Sequence, residues 1–262
     1  MKYNYCCFSD RDYKKACWLI ENKCNLNCEF CFHKEFHNNQ KKNETDYMTI
    51  VSNLRQNSIK HVILSGGEPL LSQDLFHIIS ILENNNFEVS ICTNAILATR
   101  DFCQKLKSTT SVKKITVNLS SICDNNGAII YDDKSKSVVS GICNLLEFDF
   151  EVTVNSILYK STTKGILEKN IRHCIEWGAK LISFTVPVCK CSKNNCSDYY
   201  IEENRIQELK KYLQDIENQA DTPINIIFNY PLCNSDDCPA NKSIYGIGYD
   251  GVLSTCVVKQ YH

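Results

Sequence analysis

The sequence lacks long hydrophobic runs, a surplus of charge of either sign and internal repeats. No apolar run approaches the ~18 residues that a membrane span needs, and the amino-terminal stretch has no apolar signal segment. Lys and Arg number 29 and Asp and Glu 30, so no electrostatic basis exists for binding nucleic acid or an anionic membrane. Apolar residues at 43% exclude a disordered chain. We therefore expect a cytoplasmic globular protein without nucleic-acid or membrane partners.

Cysteine, by contrast, is abundant, with 17 residues in a 262-residue chain. Disulfide frameworks belong to short secreted chains, which this sequence does not resemble. Single cysteines within apolar patterns (Cys92, Cys103, Cys143 and Cys174) are expected to be small buried hydrophobes. The clustered cysteines predict metal or iron–sulfur ligation in a reducing compartment. They are Cys24, Cys28 and Cys31; Cys189, Cys191 and Cys196; and Cys233, Cys238 and Cys256.

Short β-type runs alternate with segments of helical apolar periodicity, which predicts a parallel sheet with right-handed crossovers. On pattern alone, a partial (β/α)6 TIM-like barrel and a doubly wound sheet are both compatible with this α/β sequence. Ser72 is the expected N-cap of the second helix. The predicted strands are 16–21, 61–65, 87–92, 113–119, 150–157 and 180–186. The predicted helices are 46–56, 72–84, 99–107, 136–147, 164–177 and 201–217.

The alternation of predicted strands and helices ends at about residue 220. From Pro223 onward the chain is typical of short strands and turns, with a hairpin predicted at Asp250–Gly251. We therefore expect two units, a barrel over 14–220 and a small β appendage over 221–262.

Three cysteines with spacings of four and three follow the first predicted strand. Cys24, Cys28 and Cys31 can surround one side of a metal centre, but three thiolates leave a fourth position open. A zinc site closed by His33 or His37 is one interpretation. The loop also resembles the CxxxCxxC signature of the radical S-adenosylmethionine (SAM) superfamily, and Phe30 before the third cysteine matches that pattern.

A second segment strengthens the resemblance. Gly66, Gly67, Glu68 and Pro69 follow the second predicted strand and resemble the superfamily's GGEP motif. Glycines at a strand end permit close approach of the backbone to a ligand, and a carboxylate can accept hydrogen bonds from an ammonium group. The resemblance implies contact with the amino group of SAM.

Polar residues at later strand ends resemble further superfamily segments. Thr93-Asn94-Ala95 is similar to a TNG segment in which Ala95 replaces glycine. Ser120 and Asn155 match polar positions that meet the SAM carboxylate or ribose in relatives, whereas Thr93 and Asn94 could instead cap a strand.

The last cysteines resemble part of a known extension. Cys238, Gly251 and Cys256 match the opening of SPASM and twitch extensions, which carry auxiliary iron–sulfur clusters. No cysteine follows Cys256 in this sequence, so the match is to a truncated extension. Cys233, or the group Cys189, Cys191 and Cys196, would complete the ligands. Alternatively, these cysteines bind zinc or are free thiols. A thiol of the group Cys189, Cys191 and Cys196 could instead donate hydrogen to a substrate radical.

The resemblance implies a radical SAM enzyme. One electron from a reduced 4Fe–4S cluster would cleave SAM to a 5′-deoxyadenosyl radical, which abstracts hydrogen from the substrate. The expected substrate is a ribosomally made peptide undergoing thioether formation, crosslinking or epimerisation, and the alternative is a small antibiotic or cofactor precursor. A reducing partner such as flavodoxin or ferredoxin is implied. A zinc or iron–sulfur binding module without SAM chemistry is the alternative of another class.

Overall fold

The computed structural model describes residues 2–4, 14–28, 31, 46–187, 201–219, 223–229 and 243–255. Within these ranges one sheet of ten strands is combined with six α-helices. The strands are β1 (Lys2–Asn4), β2 (Lys14–Glu21), β3 (Ile59–Gly66), β4 (Glu88–Thr93), β5 (Lys114–Asn118), β6 (Glu151–Ile157), β7 (Leu181–Thr185), β8 (Asn225–Asn229), β9 (Ile244–Ile247) and β10 (Leu253–Ser254). The helices are α1 (Tyr47–Gln56), α2 (Leu75–Asn84), α3 (Arg100–Thr109), α4 (Asp133–Glu147), α5 (Lys164–Glu176) and α6 (Glu203–Glu217).

The order of the strands decides between the two predicted architectures. Strands β2 to β8 lie side by side in chain order, and each pairs in parallel with the next. A doubly wound sheet would reverse its order at a switch point, whereas a (β/α) barrel does not. The predicted α/β fold class, a partial TIM-like barrel, is therefore confirmed.

The two faces of the sheet differ in chemistry. Val154 of β6 and Phe184 of β7 are fully buried in the apolar core, to which residues of the helices also contribute. Because side chains alternate along a strand, their neighbours Asn155 and Thr185 point to the opposite face. That opposite face is the interior of the barrel, and it carries short polar side chains at the carboxyl ends of the strands.

Local sequence explains where the helices begin. Thr99 and Thr163 cap α3 and α5 by accepting hydrogen bonds from backbone N–H groups, and Asp132 forms a capping box at α4. The predicted N-cap of α2 is wrong: Asp74 occupies that position, and Ser72 instead ends the short 3₁₀ turn Pro69–Leu71. This turn lies between the end of β3 and α2.

The segment beyond residue 220 contributes to both ends of the sheet. Strand β8 pairs in parallel with β7, and β9 pairs in parallel with β2. The predicted hairpin is confirmed, because β9 and β10 are antiparallel and Gly251 adopts φ +78° in the turn. The division of the chain at residue 220 stays a prediction.

The single cysteines follow the expectation in part. Cys103 and Cys174 are fully buried, as predicted. Cys143 is exposed on α4, so its predicted burial is wrong: the apolar face of that helix is formed by Val138, Ile142 and Leu145. Cys92 is partly buried on β4. No helix in the described ranges is long and apolar enough to cross a membrane.

Candidate active site

Three loops meet at the carboxyl edge of the sheet. The cysteine loop follows β2, Gly67 and Glu68 follow β3, and Asn94 follows β4. The first two loops are joined by their backbones: the Gly67 N–H donates to the Glu21 carbonyl at 2.7 Å and the Glu68 N–H to the Lys23 carbonyl at 2.8 Å. Two motifs separated in sequence thus form one structural unit at the edge where parallel α/β sheets bind ligands.

The two glycines of the second loop are required by this close approach. A Cβ on Gly66 would lie 2.3 Å from the Glu21 carbonyl oxygen, and Gly66 also adopts φ +139°. A Cβ on Gly67 would lie 2.2 Å from the Lys23 carbonyl oxygen. Backbone atoms so near cannot yield as a side chain would, so only glycine permits the contact.

Glu68 is buried at the centre of the unit, with 1% of its surface exposed. Its Oε1 accepts hydrogen bonds from the Thr93 hydroxyl at 2.6 Å and the Leu70 N–H at 3.1 Å, and its Oε2 accepts one from the Asn94 N–H at 2.8 Å. Burial raises the pKa of the Glu68 carboxyl, and these three hydrogen bonds oppose the rise. Among the described residues no lysine, arginine or histidine forms an ion pair with Glu68. A cationic ligand would therefore be stabilised beside it.

Asn25 connects the cysteine loop to the third loop. The Nδ2 of Asn94 donates to the Oδ1 of Asn25 at 2.7 Å, and the Oδ1 of Asn94 accepts from the Ile96 N–H at 3.0 Å. The sequence marks Asn25 only by its place between Cys24 and Cys28, and its residue type does not predict this contact. Thr93 and Asn94 thus join the second and third loops and the cysteine loop in this structure.

The three thiols of the first loop lie within electrostatic range of one another. Burial, with smaller contributions from the neighbouring Cys31 and Cys24, raises the pKa of the Cys28 thiol to about 11. Burial likewise raises the pKa of Cys24, which accepts a hydrogen bond from the Leu26 N–H at 3.4 Å. The raised pKa values favour the neutral thiols, so these cysteines would become thiolates only beside positive charge such as a metal centre supplies.

This donor set fits an iron–sulfur cluster that keeps one open position. In the described part of the chain, no three His, Cys, Asp or Glu side chains are already gathered around a metal position. Phe30, His33 and His37 lie outside the described residues, as do Cys189, Cys191, Cys196, Cys233, Cys238 and Cys256.

Ser120 and Asn155 occupy the edge beside β5 and β6. Ser120 is 2% exposed, and its hydroxyl accepts a hydrogen bond from the Ile157 N–H at 2.6 Å, so it joins the ends of these strands. The Oδ1 of Asn155 accepts hydrogen bonds from the hydroxyls of Ser183 and Thr185. Neither residue is in hydrogen-bond contact with Glu68, so both belong to another part of the barrel mouth.

A parallel barrel that carries a thiol-rich loop and a buried carboxylate at its carboxyl edge is the architecture of a cofactor-dependent enzyme. The model of the Radical SAM superfamily matches residues 18–174, and the chain belongs to this superfamily. It is a SAM-dependent enzyme whose family implies a 4Fe–4S cluster, a substrate and a source of electrons.

Relatives with similar sequences span most of the chain. A probable GTP 3′,8-cyclase of Methanococcus aeolicus is 28% identical over 269 residues, covering 95% of this chain and 87% of its own. A probable GTP 3′,8-cyclase of Methanocaldococcus jannaschii is 27% identical, covering 92% and 83%.

Solved structures share the fold at lower identity. Streptococcus suis SuiB bound to precursor peptide SuiA superimposes with a TM-score of 0.74 at 15% identity over 95% of this chain. This chain spans 60% of the length of SuiB. The structure of anSMEcpe with bound AdoMet and Cp18Cys peptide gives 0.68 at 14% identity, covering 94% and 74%.

Proposed function

We propose that Cys24, Cys28 and Cys31 ligate the 4Fe–4S cluster and that the loop from Gly66 to Pro69 binds the methionine part of SAM. The observation that carries this proposal is the joining of the two loops around a buried carboxylate that has no cationic partner among the described residues. When bound, the cluster and SAM supply a carbon radical able to abstract hydrogen from an unactivated position. The protein positions the groups and excludes water.

Each neighbouring residue then has a defined task. Glu68 has used three of its four acceptor positions and offers the remaining one to the SAM ammonium. Thr93 and Asn94 orient that carboxylate, and the Leu26 N–H donates to Cys24, a kind of contact that tunes cluster potential. Ser120 and Asn155 are proposed contacts for the SAM ribose or carboxylate, and Phe30 is proposed to cover the cluster.

We propose that the substrate is a small polar cofactor precursor of the purine nucleotide class. Support comes from the probable GTP 3′,8-cyclases, which match nearly the whole chain. The polar interior of the barrel suits such a ligand better than an apolar one. This choice reverses the order of the two substrates expected from the sequence.

A ribosomally made peptide is the second candidate. The spacing of Cys238, Gly251 and Cys256 favours it, because that spacing resembles extensions found in peptide-modifying enzymes. Under this alternative the same cysteines, with Cys233, would hold an auxiliary 4Fe–4S cluster. Flavodoxin or ferredoxin is the proposed electron donor, and the nine described cysteines, all free thiols, fit a cytoplasmic location.

Anaerobic incubation of the reconstituted protein with SAM, dithionite and GTP tests the proposal. We expect 5′-deoxyadenosine together with a GTP-derived product of changed chromatographic mobility, detected by mass spectrometry. Absence of 5′-deoxyadenosine under all conditions would overturn the assignment of the site. Formation of 5′-deoxyadenosine without any change in GTP would overturn the substrate class alone and favour the peptide.

A further inference from the structure

A chain of hydrogen bonds crosses three strands inside the barrel, away from the joined loops. Asn155 of β6 accepts from the Ser183 hydroxyl at 2.8 Å and the Thr185 hydroxyl at 2.6 Å, both on β7. The Nδ2 of Asn229, on β8, donates to the Thr185 oxygen at 3.0 Å. We call these four side chains the polar ladder. Ser183, Thr185 and Asn229 were not identified from the sequence.

The orientation of the Asn229 amide follows from which hydrogen bond the Thr185 hydroxyl donates and which it accepts. A hydroxyl has one proton, and Thr185 gives it to Asn155. Asn229 must therefore present its amide N–H₂ to Thr185, and its Oδ1 is directed elsewhere. That oxygen is buried and has no hydrogen-bond partner among the residues that the structure describes, and the residue is only 3% exposed. A buried acceptor without a partner destabilises a fold, so its retention requires an explanation.

The position of Asn229 suggests a ligand as the explanation. Phe228 before it is buried in the apolar core, so Asn229 points into the barrel. Its carbonyl accepts a hydrogen bond from the Val186 N–H at 2.9 Å, which fixes the backbone at the carboxyl end of β8. In the sheet, β4 to β7 separate β8 from β3. Asn229 thus lies at the mouth of the barrel, on a strand that four others separate from the strand preceding the proposed SAM loop.

We propose that Asn229, held in place by the polar ladder, is a substrate subsite in which its Oδ1 accepts a hydrogen bond from an amide-type N–H of the substrate, while Asn155 at the other end of the ladder stays the proposed SAM contact. This inference rests on the proposed function, under which the group is the lactam N–H of a purine nucleotide. The four side chains are all neutral, so the subsite would not compensate a charged group. It complements a neutral donor at the edge of a planar ring.

The test uses reconstituted Asn229→Leu protein, with Asn225→Leu as matched control. Asn225 lies at the amino end of the same strand and is exposed. Binding of SAM, GTP and 1-methyl-GTP is measured by calorimetry, and melting temperature is recorded without nucleotide. In 1-methyl-GTP a methyl group replaces the lactam proton, so this nucleotide cannot donate the proposed hydrogen bond. We expect Asn229→Leu to melt lower than the control by no more than the lost Asn229–Thr185 hydrogen bond explains, to bind SAM as the wild type does, and to bind GTP about tenfold more weakly. It should also lose the preference for GTP over 1-methyl-GTP.

Several results would overturn the subsite. Unchanged GTP affinity in Asn229→Leu, or equal wild-type binding of GTP and 1-methyl-GTP, would do so. A melting temperature lower than that of Asn225→Leu by more than the lost Asn229–Thr185 hydrogen bond explains (about 1 kcal/mol) would show that the oxygen has a partner within the protein. A wild type that cleaves SAM but binds no GTP would refute both the subsite as stated and the nucleotide substrate. A wild type that binds GTP but never yields 5′-deoxyadenosine would refute the proposed function alone.

Discussion

Gly141 of α4 packs directly against the carbonyl group of Ala95. A Cβ on Gly141 would lie 2.0 Å from the Ala95 oxygen, a separation that no side chain at that position could adopt. Ala95 is fully buried and has φ +63°, in the left-handed region that glycine favours. Ala95 thus adopts a conformation that glycine favours, at the position where the TNG segment that it resembles has glycine. The left-handed conformation costs a non-glycine residue about 1–2 kcal/mol.

Gly141→Ala should destabilise the protein by about 1–3 kcal/mol, because the new methyl group forces α4 away from the turn at Ala95. This loss exceeds the ~1 kcal/mol that alanine gains over glycine inside a helix. Urea unfolding measures the difference. Gly165→Ala on α5 is the control, since a Cβ there meets no atom within 4 Å. Equal stability of the two variants would contradict the packing described.

Gly67→Ala should separate the two joined loops, because its Cβ would overlap the Lys23 carbonyl. We expect both cluster content and SAM binding to fall severely, measured by iron and sulfide analysis and by calorimetry. Leu71→Ala is the control in the same turn, because Leu71 is 38% exposed. If Gly67→Ala kept full iron content and normal SAM affinity, the contact would have no role in the site.

Glu68→Gln should weaken SAM binding by about tenfold or more, since it removes the negative charge but keeps the volume of the side chain. Iron content should remain that of the wild type. Wild-type SAM affinity in the variant would show that Glu68 does not meet the ammonium group. Glu68→Ala should also lower stability, because the Thr93, Asn94 and Leu70 donors lose their acceptor.

The raised pKa of Glu68 also predicts how stability depends on pH. The folded protein binds the Glu68 proton more tightly than the unfolded chain does. Stability from this group is therefore fully present below the ordinary pKa of glutamate and is lost as pH rises through the raised value. Glu68→Gln should flatten this part of the profile, measured by urea unfolding without SAM. An unaltered slope would contradict the prediction.

Replacement of Cys24, Cys28 and Cys31 together by Ala should abolish 5′-deoxyadenosine formation. Any single replacement should be nearly as damaging, because the three ligands act as a unit. Liquid chromatography of anaerobic reactions provides the measurement. Cys143→Ala serves as control, since that thiol is exposed on α4. Substantial 5′-deoxyadenosine from the triple variant would refute the ligand assignment.

Cys256→Ala tests the proposed auxiliary cluster. Two four-iron clusters would give about eight irons per chain, and the variant should retain about four. SAM cleavage should persist at least in part, because the first cluster has separate ligands. Cluster loss should also make the chain around Cys256 more sensitive to limited proteolysis, because a segment held by metal ligands loses that restraint with the metal. Four irons in the wild type, with an equally resistant variant, would exclude the second cluster.

The elements and the first two motifs were predictable from the sequence because their signals are local. Strand and helix periodicity placed β2 to β7 and all six helices within a few residues of their observed bounds. The three cysteines span eight residues, and their types and spacing alone predict a thiolate-ligated centre. The Gly66–Pro69 segment spans four residues, and its glycines alone predict a close approach of the backbone. The Asp250–Gly251 turn was likewise recognisable from two residues.

Tertiary structure alone decided the relations between distant segments. No pattern in the sequence indicates that β8 continues the barrel beside β7, that Asn25 meets Asn94, or that the acceptor oxygen of Asn229 has no partner in the described part of the chain. The Ala95 backbone and Gly141 illustrate the reason. The type of a residue determines its local conformational preference. The close packing of Gly141, which has no Cβ, against the left-handed turn at Ala95 exists only because the fold places α4 beside that turn.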